Sequence, residues 1–123
     1  MAYQKTHSTV TTVRTYYARI YLGLRKGYKP IKWDIDHVEN YIRRYTNENP
    51  GMGVTITPTY YIYDNGEEPG VIIGLINYPR YPSTKKQIRK RALELAERLK
   101  TYFEQLRISI EFPDETIMLG EKE

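Results

Sequence analysis

The sequence lacks cysteine and has few of the other residues that most often carry chemistry. Without cysteine there are no disulfides and no thiol nucleophile, which is typical of a protein from a reducing compartment. The two histidines, His7 and His37, are isolated, and no spacing of His, Asp and Glu resembles a metal site. Nor can a Ser-His-Asp set be argued from them. We therefore predict no metal and no cofactor.

Long apolar runs are also missing. No stretch reaches the length of about 18 apolar residues that a membrane span needs. Residues 1–13 lack the apolar centre of a signal peptide. We therefore expect no membrane partner and a cytoplasmic location. The 123 residues suit one domain, and the net charge of +4 permits an anionic partner without requiring nucleic acid.

Tyrosine is abundant where the other aromatic residues are scarce. The chain has 13 tyrosines, against 2 phenylalanines and 1 tryptophan. The tyrosine ring suits surfaces that are half buried and half wet, such as interfaces and ligand sites. This composition favours a protein that uses its surface for binding.

The segment 54–82 predicts a long β-hairpin that leads into the longest helical pattern of the chain. Two β-type runs flank the turn at residues 64–67, where Asn-Gly favours a tight turn. Pro58 cannot donate to a sheet ladder, so the strand before the turn is predicted to be an edge strand or to carry a bulge there. The apolar run at 71–76 predicts a central strand, covered on both faces.

The flanking patterns supply two helices and further strands. Alternation over residues 11–24 predicts a long first strand, and Ile108, Ile110 and Phe112 predict a fourth. Asp34 is the expected N-cap of the first helix, and Ser83 or Thr84 that of the second, where Gln87 could close a capping box on Thr84. Residues 116–119 suggest a short fifth strand, paired with a neighbouring subunit.

This order of elements, β-α-β-β-α-β, is the split βαβ plan. We therefore predict an α+β, ferredoxin-like sandwich, with an antiparallel sheet and both helices on one face. Residues 1–10 are assigned to a flexible N-terminal arm, 11–119 to a single ferredoxin-like domain, and 120–123 to a C-terminal tail. The bare sheet face would expose apolar residues of the third strand, and self-association is the simplest way to cover them.

The order, the size, the tyrosine-rich face and the long β2–β3 hairpin resemble small oligomeric ferredoxin-like proteins of the PII and CutA type. Phage S-adenosylmethionine lyases are similar in build. The resemblance covers residues 11–119. It implies a homo-oligomer, with a trimer as first expectation, and ligand clefts between subunits, often for nucleotide-like molecules.

Two clusters are candidates for chemistry. The first lies at the hairpin end, where the topology gathers Glu67, Glu68, Lys26, Tyr28, Asp34 and His37. Glu68 is the predicted catalytic base, since Pro69 restricts the chain beside it. Tyr61 and Tyr63 are predicted to stack on a ligand or to hydrogen-bond with it. The alternative is that both carboxylates only solvate a turn.

The second cluster lies at the opposite end of the sheet, where the second helix begins. Helix starts attract anions, yet the first turns of this helix carry several cations, which an anionic ligand would offset. The predicted ligand-binding residues there are Tyr78, Arg80, Ser83, Thr84, Lys85 and Lys86. The alternative is a basic, solvated helix end. In an oligomer, the Glu68 end of one subunit could meet the Arg80 end of another.

These clusters favour an oligomeric protein that binds, and possibly processes, a small anionic or nucleotide-like metabolite. A nucleic-acid-binding module and a protein that sequesters a protein partner are the alternatives. The third strand, VIIGLINY, lacks the basic and aromatic pattern expected for RNA recognition. Small size without a standard motif would also suit a viral protein. Whether the protein is an enzyme stays open at this stage.

Overall fold

The computed structural model describes residues 7–26 and 29–120. In this part of the chain seven elements follow one another, and they are β1 (Tyr17–Gly23), α1 (Ile35–Glu48), β2 (Thr55–Tyr63), β3 (Gly66–Ile76), α2 (Lys85–Tyr102), β4 (Arg107–Glu111) and β5 (Thr116–Gly120). None of the helices described is long and apolar enough to cross a membrane.

The five strands form one antiparallel sheet in the order β2-β3-β1-β4-β5. Strands β1 to β4, in the spatial order β2-β3-β1-β4, have the arrangement of the split βαβ plan. This confirms the predicted ferredoxin-like sandwich. β5 lies beside β4 of the same chain, with Ile117 opposite Ile110. A tight turn at 113–115 brings this strand back onto its own β4, and its outer edge is the edge of the sheet, so pairing of that edge with another subunit stays a prediction.

Both helices pack on one face of the sheet, and the core lies between these layers. β1 alternates throughout and β3 alternates from Val71 onward, so there every second side chain enters the core. The strands contribute Ala18, Ile20, Leu22, Val71, Ile73, Leu75, Ile108 and Ile110, and the helices contribute Val38, Ile42, Tyr45, Ile88, Ala92, Leu95, Ala96 and Leu99. Burial of these side chains supplies most of the stabilisation of the fold.

Each helix begins where its cap was predicted. The Asp34 carboxylate accepts from the His37 amide, and the His37 ring accepts from the Asp34 amide. Thr84 and Gln87 make the corresponding capping box on α2. Such a box satisfies two amides that the helix itself leaves free.

The first strand is shorter than its alternating pattern predicted. Regular pairing begins only at Tyr17, opposite Ile76, although the pattern starts at residue 11. β3 ends at Ile76, so residues 11–16 have no strand of β3 beside them. The side chain of Asn77 instead donates to the carbonyl of Arg14. Alternation correctly indicated which side chains of β1 lie on each face of the sheet. The residue at which β1 begins is set by the length of β3, with which it pairs.

The side of the sheet away from the helices is here called the open face. No helix of the described residues covers it, and it carries Tyr17, Arg19, Tyr21, Thr57, Tyr61, Glu68, Ile72, Ile76, Ser109, Glu111 and Met118. The prediction that both faces of β3 are covered is wrong within this chain, because Ile76 is 51% exposed. Gly70 and Gly74 interrupt the apolar side chains of β3 on this face, so the patch is smaller than predicted.

Candidate functional site

Tyr61 and Glu68 face each other across the hairpin, near its turn. They are register partners of β2 and β3 on the open face. Next to Glu68 on that face, Gly70 leaves room for the Tyr61 ring to lie against the backbone. A Cβ at residue 70 would stand 2.2 Å from Cε2 of Tyr61 and 2.9 Å from the carbonyl oxygen of Leu22. Only glycine allows this close approach, which fixes the ring beside the Glu68 carboxylate.

The Tyr61 hydroxyl is buried and has no hydrogen-bond partner in the described part of the chain. Burial, and then the nearby Glu68 charge, raises the pKa of Tyr61 to about 12. A buried hydroxyl without a partner costs on the order of 1–3 kcal/mol. Groups of this kind are rare in native structures and call for a reason, of which an absent ligand is one.

Arg25 approaches Glu68 from the loop that follows β1. Its Nε lies 3.6 Å from Oε2 of Glu68, which is an ion pair but too long for a hydrogen bond. That Nε is buried and has no hydrogen-bond partner among the residues described. A terminal nitrogen donates to the carbonyl of Glu67 at 3.2 Å, and the Gln105 amide donates to the carbonyl of Arg25 at 2.5 Å. Glu68 is thus held in place while its hydrogen-bonding capacity stays partly unused.

A second carboxylate continues this polar strip across the open face. The hydroxyl of Tyr21 donates to Glu111 at 2.8 Å, and this hydrogen bond is the main reason why the pKa of Tyr21 is raised. Arg19 lies 3.4 Å from the same carboxylate and stacks over Tyr17. Two tyrosine–carboxylate pairs therefore share the open face, but only the hydroxyl at residue 61 lacks a partner among the residues described.

A groove lies elsewhere, where the loops before β2 and after β3 meet the first half of α2. This groove has a volume of about 630 Å³, and its lining is Gly51, Met52, Gly53, Val54, Thr55, Gly74, Leu75, Ile76, Tyr78, Arg80, Tyr81, Ser83, Ile88 and Arg91. The nearest lining residue on β3, Gly74, lies six residues after Glu68, which is roughly 20 Å of extended chain. One subunit therefore holds two separate candidate sites.

The second predicted cluster is only partly brought together. Tyr78, Arg80 and Ser83 line the groove, whereas the other three predicted residues do not. Thr84 uses its hydroxyl to cap α2, and Lys85 lies 2.5 Å from Asp114, where its hydrogen bond lowers the pKa of that carboxyl. Lys86 is exposed on α2.

At the hairpin end, the structure separates residues that topology alone had gathered. Tyr61 and Glu68 are adjacent, and Tyr63 lies two pairs nearer the turn, where it is 53% exposed. Lys26 pairs with Glu104 at 2.7 Å. Asp34 and His37 are occupied with each other at the helix cap. Tyr28 lies outside the described residues.

Two residues at these sites were not singled out from the sequence as binding residues. Arg25 belongs to a basic loop, and no periodicity indicates that a loop side chain turns toward β3. Arg91 is one of several cations on α2, and the signal that separates it is its position three residues after the buried Ile88, on the side facing β3. Among residues 7–26 and 29–120, no group of His, Asp and Glu is placed to hold a metal ion.

Comparison with known proteins gives a likeness of fold. No family model matches the sequence, and no curated protein matches it. One similar solved structure is a phage SAM lyase in its apo state, with 21% identity, a TM-score of 0.63, and 87% of this chain and 90% of that chain covered. Another is a phage SAM lyase in complex with S-methyl-5'-thioadenosine, with 19% identity, a TM-score of 0.66, and 94% and 97% covered. The predicted resemblance in build to phage SAM lyases is confirmed, and the chain has their fold.

Proposed function

We propose that this protein binds and chemically processes a small nucleoside ligand of the S-adenosylmethionine type at the Tyr61–Glu68 site. The observation that carries the proposal is the buried Tyr61 hydroxyl, which has no partner among the described residues and lies beside a carboxylate. A ligand would satisfy this hydroxyl if its binding moved the side chains that enclose it, so that the two could hydrogen-bond. The likeness of fold to a phage SAM lyase with bound S-methyl-5'-thioadenosine supports this class of ligand.

The charges at the site suit a sulfonium ligand. S-Adenosylmethionine carries a permanent positive charge on sulfur, and a carboxylate near it stabilises that charge strongly where water is excluded. The electron-rich face of a tyrosine ring adds a cation–π attraction. Glu68 is also the side chain at this site that can accept a proton, which makes it the proposed general base. It would take a proton from the carbon next to the one bonded to sulfur, so that a C=C bond forms there as the C–S bond breaks and the uncharged thioether leaves. Arg25 positions Glu68.

The proposed active form is a homo-oligomer, with a trimer as first expectation. The open face carries exposed apolar side chains, with Ile76 at 51% and Met118 at 60%, and a neighbouring subunit would cover them. Because Tyr61 and Glu68 lie on the same face, a ligand there would be enclosed between subunits. Light scattering of the purified protein is expected to give about three times the chain mass of 14.6 kDa. A mass equal to that of one chain at micromolar concentration would contradict the oligomer.

The ligand class is tested by thermal unfolding in the presence of S-methyl-5'-thioadenosine, S-adenosylmethionine, or a short single-stranded oligonucleotide. A ligand at a hundred times its Kd adds about 2.7 kcal/mol, which raises the Tm of a domain of this size by several degrees. We expect such a shift with both nucleosides. A shift only with the oligonucleotide, lost at higher salt, would instead indicate nucleic-acid binding. No shift with any of them would overturn the proposal and favour a protein partner.

A further inference from the structure

The groove at the far end of the sheet has the form of a separate ligand site. Its volume of about 630 Å³ lies within the range of about 300–1,000 Å³ that is typical of small-molecule pockets. Leu75 and Ile88, which are 3% and 1% exposed, form an apolar floor. Met52 and Val54 are partly buried and add an apolar wall.

The charge of the groove is of one sign. Arg80 and Arg91 are its charged lining residues, and no acidic side chain lines it. Among the residues described, neither arginine has a carboxylate within salt-bridge distance, which is also true of Arg14, Arg44, Arg98 and Arg107, whereas Arg19, Arg25, Arg43 and Arg89 each have one. Two guanidinium groups that share a groove without a counter-charge repel each other, and an anion between them would relieve that repulsion.

Both arginines are held by polar or aromatic neighbours that orient them. A guanidinium nitrogen of Arg91 donates to the Ser83 hydroxyl at 2.9 Å, which fixes its half-buried side chain to the groove wall. Arg80 lies over the Tyr81 ring at 5.5 Å. Tyr78 and Tyr81 are 54% and 62% exposed and pair through a backbone bridge, so that their loop forms a rim. The groove thus combines oriented cations with aromatic and aliphatic surface.

We propose that this groove binds a small organic anion with an apolar body, such as an aromatic or aliphatic carboxylate or sulfonate. Arg80 and Arg91 contact the anionic group, and Leu75, Ile88 and Tyr78 contact the apolar part. The site is independent of the function proposed for Glu68, because it lies at the other end of β3. Of the residues predicted from the sequence to bind an anion, Tyr78, Arg80 and Ser83 belong to this groove. Thr84, Lys85 and Lys86 do not, and Arg91 supplies the second cation instead.

The test uses the fluorescent probe 8-anilinonaphthalene-1-sulfonate, which joins an apolar aromatic body to one sulfonate. N-Phenyl-1-naphthylamine has the same body without the anion and serves as the neutral comparison. We expect the sulfonate to bind with one site per chain and the neutral probe to bind at least about tenfold more weakly, since charge-assisted hydrogen bonds are the stronger ones. Equal affinity for the two probes would overturn the anion site.

Variants locate the probe in the groove. Arg91→Gln keeps a partner for Ser83, and it is expected to weaken sulfonate binding about tenfold, with a further loss in Arg80→Gln/Arg91→Gln. Lys90→Gln removes the same charge from the neighbouring, exposed position of α2 and is expected to change the affinity by less than about twofold. Unchanged Tm values show that the variants fold.

The same titration separates this site from the Glu68 site. Glu68→Gln is expected to leave the affinity for the sulfonate unchanged, whatever that substitution does to nucleoside binding. Undiminished sulfonate binding in the double arginine variant would overturn the proposal. So would a loss caused by Glu68→Gln, because the probe would then occupy the hairpin end.

Discussion

Replacing Glu68 by glutamine is expected to lower the turnover of S-adenosylmethionine at least about 100-fold, which is the range that general acid–base groups contribute. Glutamine has nearly the same shape but neither a negative charge nor a site that accepts a proton at neutral pH. The ion pair with Arg25 is long and partly exposed, at 3.6 Å, so its loss has little effect on folding. The measurement is the release of S-methyl-5'-thioadenosine, followed by chromatography.

Binding and turnover are expected to separate in this variant. S-Methyl-5'-thioadenosine is an uncharged thioether, so its affinity for the Glu68→Gln variant should change by less than about threefold, a difference well under 1.4 kcal/mol. Glu67→Gln is the matched control, because Glu67 is exposed and pairs with Ile62 on the other face of the hairpin. Full activity of Glu68→Gln, or equal loss in both variants, would remove Glu68 from its proposed role.

Replacing Tyr61 by phenylalanine is expected to weaken nucleoside binding about tenfold without destabilising the fold. The hydroxyl has no partner among the described residues, so the folded protein loses no hydrogen bond and is relieved of a desolvated polar group. We therefore expect the free energy of unfolding to stay the same or to rise by about 1 kcal/mol. Urea unfolding and calorimetric titration with S-methyl-5'-thioadenosine measure the two quantities on the same samples.

The same variant has a signature at high pH. Burial raises the pKa of Tyr61 to about 12, whereas in an unfolded chain a tyrosine titrates near pH 10. The folded state therefore holds this proton more tightly, and the resulting stability is present below about pH 10 and is lost as the pH rises through about 12. Tyr61→Phe is expected to remove this part of the loss of stability at high pH. It is also expected to remove the tyrosine that titrates near pH 12 in ultraviolet absorbance.

Tyr60→Phe is the matched control for both effects. Tyr60 precedes Tyr61 on the same strand, points to the other face and is 68% exposed. We expect it to leave nucleoside affinity, the free energy of unfolding and the titration of Tyr61 near pH 12 unchanged. A clear loss of stability in Tyr61→Phe would mean that the hydroxyl has a structural partner, and the proposed ligand contact would then lose its basis.

The fold was predictable because local signals agreed with one another. Pro58 favoured an edge position for β2, the two N-cap residues marked the helix starts, and alternation gave the faces of β1. The position of the hairpin turn was predicted less exactly. Tyr63 already pairs with Gly66, so the loop is Asp64–Asn65, and within it only Asn65 has a positive φ, of 60°. Asn-Gly located the hairpin, but which pair closes it depends on the side chains that pack beside the turn.

Site residues could be predicted only where their position in a strand or helix determines which way the side chain faces. Tyr61 and Glu68 follow from hairpin register, so both could be placed on one face in advance. Arg25 could not be placed, since a loop side chain has no periodicity. Lys85 was predicted as a ligand residue because it begins a helix, but its pairing with Asp114 depends on where the β4–β5 turn falls, about thirty residues later. The cations at the start of α2 therefore indicated that this end of the sheet is basic. Contacts with other elements decide which of these cations remain free to bind a ligand.

A crystal structure of the protein with S-methyl-5'-thioadenosine tests the central claim most directly. The ligand is expected at the hairpin end on the open face, with one polar atom within hydrogen-bond distance of the Tyr61 hydroxyl and its sulfur near the Glu68 carboxylate. The groove of Arg80 and Arg91 is expected to hold none of it, because this ligand carries no anionic group. Density for the nucleoside in that groove, with Tyr61 and Glu68 uncontacted, would contradict the assignment of the site.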